Sequence, residues 1–252
     1  MASGNFKLYS QYYDLIYKDK DYQAETDYIC ELIEKYASIQ GNSLLDLGSG
    51  TGKHGQLLAK KGFRVTGIER SPEMVAIGNK QSNTNFVSYI GDITNFSLDN
   101  RFEVVTSLFH VVSYIGSNDD LSMLFENVHR HLKSDGLFIF DVWYSPAVYT
   151  LKPETRVKRI KSEKFELTRI AEPVIHYKKN MIDVKYHIFL KNLTTNKIDE
   201  IKEIHPMRHF SIPEIQMYAE KHNYDLIKSE EWLTGYNPSS KTWGVNFILR
   251  KK

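Results

Sequence analysis

A doubly wound, mostly parallel α/β sheet carrying an antiparallel β insertion is the fold this sequence predicts. Three observations carry it. Short β-type runs alternate with helical ones as far as about Asp141. The last of these runs, Gly136–Phe140, has almost no polar residue, as a sheet covered on both faces requires. Residues 155–206 then switch to β-favouring stretches with no long helix between them. With 252 residues, 41% of them hydrophobic, the chain can bury one large core.

The elements follow in order. Apolar positions Tyr22, Ile29, Leu32, Ile33 and Tyr36 fall at helical spacing between about Asp21 and Ala37. Ser43–Leu47 reads as the first strand, His54–Lys61 as a helix ending at Gly62, and Arg64–Ile68 as the second strand. Ser71-Pro72-Glu73 opens a helix, with serine as cap and proline at the first helical position. Asn85–Ile90, Glu103–Leu108 and Gly136–Phe140 are further strands, with an amphipathic helix over Asp119–Leu132. After Pro153, Lys164–Ile170, Pro173–Tyr177, Ile182–Leu190 and Ile198–Ile204 read as strands of an insertion lying over the sheet. Ile182, Val184, Tyr186 and Ile188 alternate with Asp183, Lys185 and His187, so one face is wet. Ser211 caps a helix over Ile212–His222, and strands near Leu226–Leu233 and Trp243–Leu249 close a seven-stranded sheet. The expected division is a main domain of residues 1–154 and 207–252, with an N-terminal lid over 1–40 and a substrate cap over 155–206.

Charge narrows the function. Lys plus Arg at 33 against Asp plus Glu at 31 leaves a net charge of +2, without the basic excess of a dedicated nucleic-acid binder. The single cysteine, Cys30, excludes an internal disulfide framework and fits a reducing compartment. The N-terminal stretch has no continuous apolar run, so neither signal peptide nor membrane span is expected, and a cytoplasmic location follows as the expectation.

The chemistry concentrates at LLDLGSGTGKHG, residues 44–55. A strand, then Gly48-x-Gly50-x-Gly52, then a helix lets backbone N–H groups approach a ligand closely. A dinucleotide turn spaces its glycines G-x-G-x-x-G; here the third arrives one residue early. The second strand is followed by Glu69, an acid placed to accept both ribose hydroxyls. The third runs into Gly91-Asp92-Ile93, an acid and an apolar residue suited to an adenine amine and ring face. The fourth runs into Ser107-Leu108-Phe109-His110, at the mouth where a second substrate would sit.

This order of Asp46, the glycine turn, Glu69, Asp92 and Ser107-Leu108-Phe109 resembles the class I S-adenosylmethionine-dependent methyltransferases. The resemblance implies a Rossmann-like seven-stranded sheet and S-adenosyl-L-methionine as cofactor, released as S-adenosyl-L-homocysteine. It places Gly48, Ser49 and Gly50 against the methionine part, Glu69 on the ribose and Asp92 on the adenine amine. Arg70, Met74 and Ile93 would flank the adenine, while Leu108 and Phe109 would line the sulfonium region. Asp46 would orient the turn or meet the ligand's ammonium group, and Tyr13 would join the cofactor contacts from the lid. A nicotinamide dehydrogenase is the competing nucleotide enzyme, and a binding module without catalysis the competing class.

The acceptor is less plainly written. The fourth strand lacks the Asn/Asp-Pro-Pro-aromatic motif of base methylation. Tyr12-Tyr13-Asp14-Leu15-Ile16-Tyr17, Lys20-Asp21-Tyr22, Gly50-Thr51-Gly52-Lys53-His54, Ser107–Tyr114 and Trp143-Tyr144-Ser145-Pro146 resemble more narrowly one bacterial group. Its members dimethylate the amino group of nucleotide-linked deoxysugars, as in desosamine and mycaminose biosynthesis. That resemblance implies Tyr17 and Tyr114 near the methyl group, with aromatic packing as their alternative role. His110 or His209 could take the proton. Trp143, Arg208 and Lys241 are candidate substrate contacts; Arg156, Lys158, Arg159 and Lys161 form one candidate cluster for a diphosphate, and Arg169, Lys178, Lys179 and Arg208 offer others. His205–His209 lacks matching Cys or carboxylate spacing, so no metal is expected. The expected partner is a small-molecule substrate, a nucleotide-linked sugar, with no nucleic acid and no membrane; a homodimer is allowed. Another small amine of the ethanolamine type, or a sugar or metabolite hydroxyl, stands as the alternative acceptor.

Overall fold

The computed structural model describes residues 16–80 and 85–252. Tyr13 therefore lies outside the described residues. The parallel core is β1 (Ser43–Leu47), β2 (Arg64–Glu69), β3 (Phe86–Ile90), β4 (Phe102–Ser107) and β5 (Leu132–Tyr144), all paired in parallel in the order β3-β2-β1-β4-β5. The last two strands, β10 (Tyr224–Glu231) and β11 (Gly244–Lys251), add to β5 through β11, both pairings antiparallel. The sheet is α/β and mostly parallel with an antiparallel part, as the apolar runs predict. Its strands vanish from solvent: Leu44, Leu45, Leu47, Val105, Phe138, Ile139 and Phe140 are all fully buried.

Helices cover both faces because their sequences start and stop cleanly. α1 (Tyr22–Tyr36) is capped by Asp21, whose carboxylate accepts the Ala24 amide at 2.9 Å. α2 (Lys53–Lys60) opens from Gly52 in the left-handed region at φ 78°. α3 (Pro72–Asn79) has Ser71 as cap and Pro72 in its first turn. α4 (Asn118–His131) places Asp119 and Asp120 in its first turn and Arg130 in its last, complementing the helix dipole. α5 (Ser145–Leu151) follows β5 directly, and α6 (Ile212–Lys221) is capped by Ser211.

The segment after Pro153 differs from expectation in three ways. It has four strands, because the cation-rich Arg156–Lys161 is itself a strand, β6. It forms the edge of the array, where charged side chains discourage further pairing. β7 (Phe165–His176) runs unbroken through Pro173, where two separate strands are expected. β6 pairs only as far as Ala171, so beyond it β7 has one neighbour and needs no amide at Pro173. Finally, β8 (Met181–Asn192) is followed by β9 (Ile198–Phe210), which continues past Ile204, so the boundary drawn at 206/207 falls inside a strand. The end of β9 pairs in parallel with the end of β5, Trp143 to His209 and Tyr144 to Phe210. The four strands are thus hydrogen-bonded to the C-terminal end of the interior strand β5, and do not simply lie over the sheet's face.

Candidate active site

A cavity of about 600 Å³ opens at the C-terminal ends of the parallel strands and is walled on its far side by β7, β8 and β9. Such a place, outside the carboxyl ends of doubly wound strands, is where ligands bind in these sheets. The turn after β1 forms its floor. Gly48, Gly50 and Gly52 hold φ of 71°, 54° and 78°, which a side chain rarely tolerates. A Cβ on Gly48 would lie 2.5 Å from Val111 Cγ1, whereas one on Gly50 would meet nothing nearer than Met74 Sδ at 4.0 Å. Gly50 therefore opens onto the cavity, and Gly48 is where two loops touch.

Glu69, buried at the end of β2, ties this turn together. Its Oε2 accepts the Gly50 amide at 3.0 Å and its Oε1 the Ser71 amide at 2.9 Å. A carboxylate carries about four acceptor positions, so lone pairs remain for a ligand. Arg70, Met74, Asp92, Ile93 and Leu108 also line the cavity. Asp92 is exposed, its Oδ1 taken by the amide and hydroxyl of Thr94 at 2.9 and 2.6 Å. Ser49 lines the wall, but its hydroxyl turns to Ser88 Oγ at 3.0 Å. Asp46 is 3% exposed and does not line the cavity; Thr106 Oγ1 donates to it at 3.0 Å, and burial pushes its carboxyl up to about 6. From that position it ties β1 to β4.

Phe109 and His110 both adopt left-handed backbone, φ 65° and 60°, at the mouth of β4. Non-glycine residues held there store strain that clusters at functional sites. The Asp141 carboxylate fastens this loop, accepting the His110 amide at 3.1 Å and lying 2.7 Å from its ring Nδ1. Tyr17 packs edge-on to Phe109, its hydroxyl accepting from Arg169 at 3.2 Å, while the Arg169 guanidinium also sits 5.1 Å from the Tyr186 ring. Trp143 stands across from His110, and Arg156 completes the cationic part of the wall.

Besides Asp46, the expected site residues Arg208, Lys241 and His209 are not brought to the cavity, and neither are Lys158, Arg159, Lys161, Lys178 and Lys179. Arg208 is 7% exposed and committed elsewhere, donating to Glu214 at 2.6 Å and Asn118 at 2.7 Å. It is one residue out of phase with His205 and Met207, which do face the cavity from β9. Lys241 is exposed on the loop before β11 and does not line the cavity either. His209 is fully buried at the β5–β9 junction, bonded to Ser145 Oγ at 2.8 Å. Burial lowers its ring to about 4. Unfolding releases that ring to protonate near its ordinary value of about 6.5, so the unfolded chain binds the extra proton between those limits. Stability contributed at this site is therefore present above about pH 6.5 and lost as the pH falls toward 4. Urea unfolding at pH 5 and pH 7.5 should show a smaller difference for His209→Gln than for the parent protein.

Sequence reasoning missed two clusters. Glu25 of α1 is buried and meets His54 Nε2 at 2.6 Å as well as the Lys20 ammonium. Burial alone would raise this carboxyl, yet His54 and Lys20 hold it below the usual range. Tyr114 contacts His205 Nδ1 at 2.8 Å, and His205 Nε2 contacts Glu203 at 2.9 Å. The only sequence signal for that pair was the period-2 alternation of β9. Among the described residues no group of three or more His, Cys, Asp or Glu could hold a metal, and no helix is long and apolar enough to cross a membrane.

This doubly wound sheet, with its glycine turn and β2 acid at one cavity, has the fold of solved S-adenosylmethionine-dependent methyltransferases. Residues 44–136 match the family described as a methyltransferase domain. The solved S-adenosylmethionine-dependent methyltransferase from Clostridium acetobutylicum superposes with a TM-score of 0.81 at 19% identity, covering 98% of each chain. The sugar N-methyltransferase KedS8 from a Streptoalloteichus species gives 0.80 at 20% identity, over 95% of this chain and 93% of that one. In sequence, the dTDP-3-amino-3,6-dideoxy-alpha-D-glucopyranose N,N-dimethyltransferase of Streptomyces fradiae is 33% identical over 143 residues. That match spans 56% of this chain and 55% of the relative, so the chain aligns with just over half the length of this curated relative.

Proposed function

We propose that this protein transfers the methyl group of S-adenosyl-L-methionine to the amino group of a nucleotide-linked amino sugar. The observation that carries the cofactor half is Glu69, buried at the cavity with both oxygens holding the amides that shape the turn and the start of α3. The residues fit that ligand. Gly50 leaves the space a side chain would fill, and Met74, Ile93 and Leu108 offer apolar surface to a base. When bound, the cofactor supplies an electrophilic methyl on a positively charged sulfur. Phe109 and Tyr17 line the cavity, and each ring already has a cation over it, Lys20 at 4.3 Å and Arg169 at 5.6 Å, in keeping with the attraction of ring faces for positive charge.

The acceptor half rests on the wall built by β6 to β9. Tyr17, Tyr114 and Tyr186 can position a sugar, and Arg156 and Arg169 can meet a diphosphate. The named activities of the Streptomyces and Streptoalloteichus relatives support the same class of acceptor. A neutral amine is already nucleophilic, so the chain's main task is alignment and exclusion of water. A mass-spectrometric screen of nucleotide-linked amino sugars, small amines and hydroxylated controls with labelled cofactor tests the assignment. Gains of one or two methyl groups on the amino sugars alone are expected; label only on the other acceptors overturns it.

The His110–Asp141 pair favours a second reading, methylation of a hydroxyl, which needs a base on the acceptor. The two readings separate in His110→Ala. An amine enzyme should lose less than about tenfold in kcat, a hydroxyl enzyme about a hundredfold or more.

A further inference from the structure

Tyr114 projects into the cavity from the short 3₁₀ turn Val111–Tyr114, and its hydroxyl does not end there. It lies 2.8 Å from Nδ1 of His205, whose Nε2 lies 2.9 Å from Glu203 Oε2. The imidazole and carboxylate side chains are each only 6% exposed. Direction is set by the far end. A carboxylate accepts only, so a neutral His205 carries its proton on Nε2 and accepts from the phenol at Nδ1. The Tyr114 oxygen then keeps a lone pair facing the cavity. Glu203 Oε1 has no hydrogen-bond partner among the described residues, which leaves this carboxylate's charge directed at the imidazole. Tyr186 packs edge-on to His205 at 4.8 Å.

We infer that Tyr114, His205 and Glu203 form a proton relay that takes the proton released when an acceptor amine is methylated. The relay rests on the amine reading given above. As the amine nitrogen bonds to the methyl carbon, the carbon–sulfur bond breaks and its electron pair stays on sulfur. The nitrogen is then cationic and gives a proton to the Tyr114 oxygen while the phenol proton passes to His205 Nδ1. Tyr114 ends neutral, and the imidazolium is held by Glu203; the proton returns to solvent by the same path after product leaves. Desolvation within the cavity raises the Tyr114 phenol above its ordinary range, so it serves by passing a proton and not as a standing phenolate. His205 and Glu203 are positioning residues that act through Tyr114. The sequence could not show this, since residues 114 and 205 meet only through folding.

Two measurements test the relay, one of them without any acceptor. ¹⁵N-histidine NMR of the parent protein should show His205 protonated at Nε2 and bare at Nδ1, with its signals changed in Glu203→Gln. The opposite tautomer overturns the relay even if no acceptor is ever methylated, an outcome that would instead count against the amine reading. On an amine acceptor, Tyr114→Phe should lower kcat about tenfold or more and Glu203→Gln several-fold, with cofactor affinity within about twofold of the parent. The double variant should be no slower than Tyr114→Phe alone, because without the phenol the carboxylate has no path to the amine. Losses that multiply, or a Tyr114→Phe enzyme within twofold of the parent, would overturn the proposal.

Discussion

Glu69→Ala should weaken binding of S-adenosyl-L-homocysteine about a hundredfold or more by calorimetry, roughly 2.7 kcal/mol. The size follows from what the carboxylate does twice over. It accepts the Gly50 and Ser71 amides, and hydrogen bonds to a charged group contribute about 1.5–3 kcal/mol each. Its loss leaves both amides unsatisfied and removes the acceptor for a ribose diol. Glu69→Gln keeps one acceptor oxygen but turns an amide NH₂ toward a backbone N–H, so about a tenfold loss is expected there. Unchanged affinity in Glu69→Ala would move the ligand away from the β2 end.

Gly48→Ala has the next largest expected effect, through the opposite wall of the cavity. Its φ of 71° disfavours any side chain, by roughly 1–2 kcal/mol. The added methyl would also stand 2.5 and 2.7 Å from the two γ carbons of Val111, and overpacking of this kind costs about 1–3 kcal/mol. Val111 begins the turn that carries Tyr114, so the displacement should reach the acceptor wall. A thermal midpoint lower by several degrees and kcat reduced about tenfold are expected together. Gly62→Ala is the control. It has φ 101° but open space around it, so stability alone should fall.

The fold was legible where its determinants are local. Apolar runs, Ser71-Pro72 and the displaced third glycine sit within a few residues of the elements they specify. Glu69 and Asp92 could be placed because parallel strands bring their carboxyl ends to one edge. The insertion was harder to read. Whether Pro173 interrupts a strand depends on where β6 stops, which is a property of the pairing and not of the residue. Arg208 and His209 were plausible as charged or titratable groups, yet one faces away from the cavity and the other lies beyond it, locked between β5 and β9. His205 carried the same sequence signal as His209, and only register separates the two. Lys241 failed for a simpler reason: loop position says little about direction.

On the proposed reading, the turn at 48–52 and Glu69 form a binding site for S-adenosyl-L-methionine. Calorimetric titration of the full chain with S-adenosyl-L-homocysteine tests it most directly. One saturable site per chain, sharply weakened in Glu69→Ala and retained in Tyr114→Phe, is the predicted result. No measurable binding to the folded parent protein, or binding indifferent to Glu69, would contradict it.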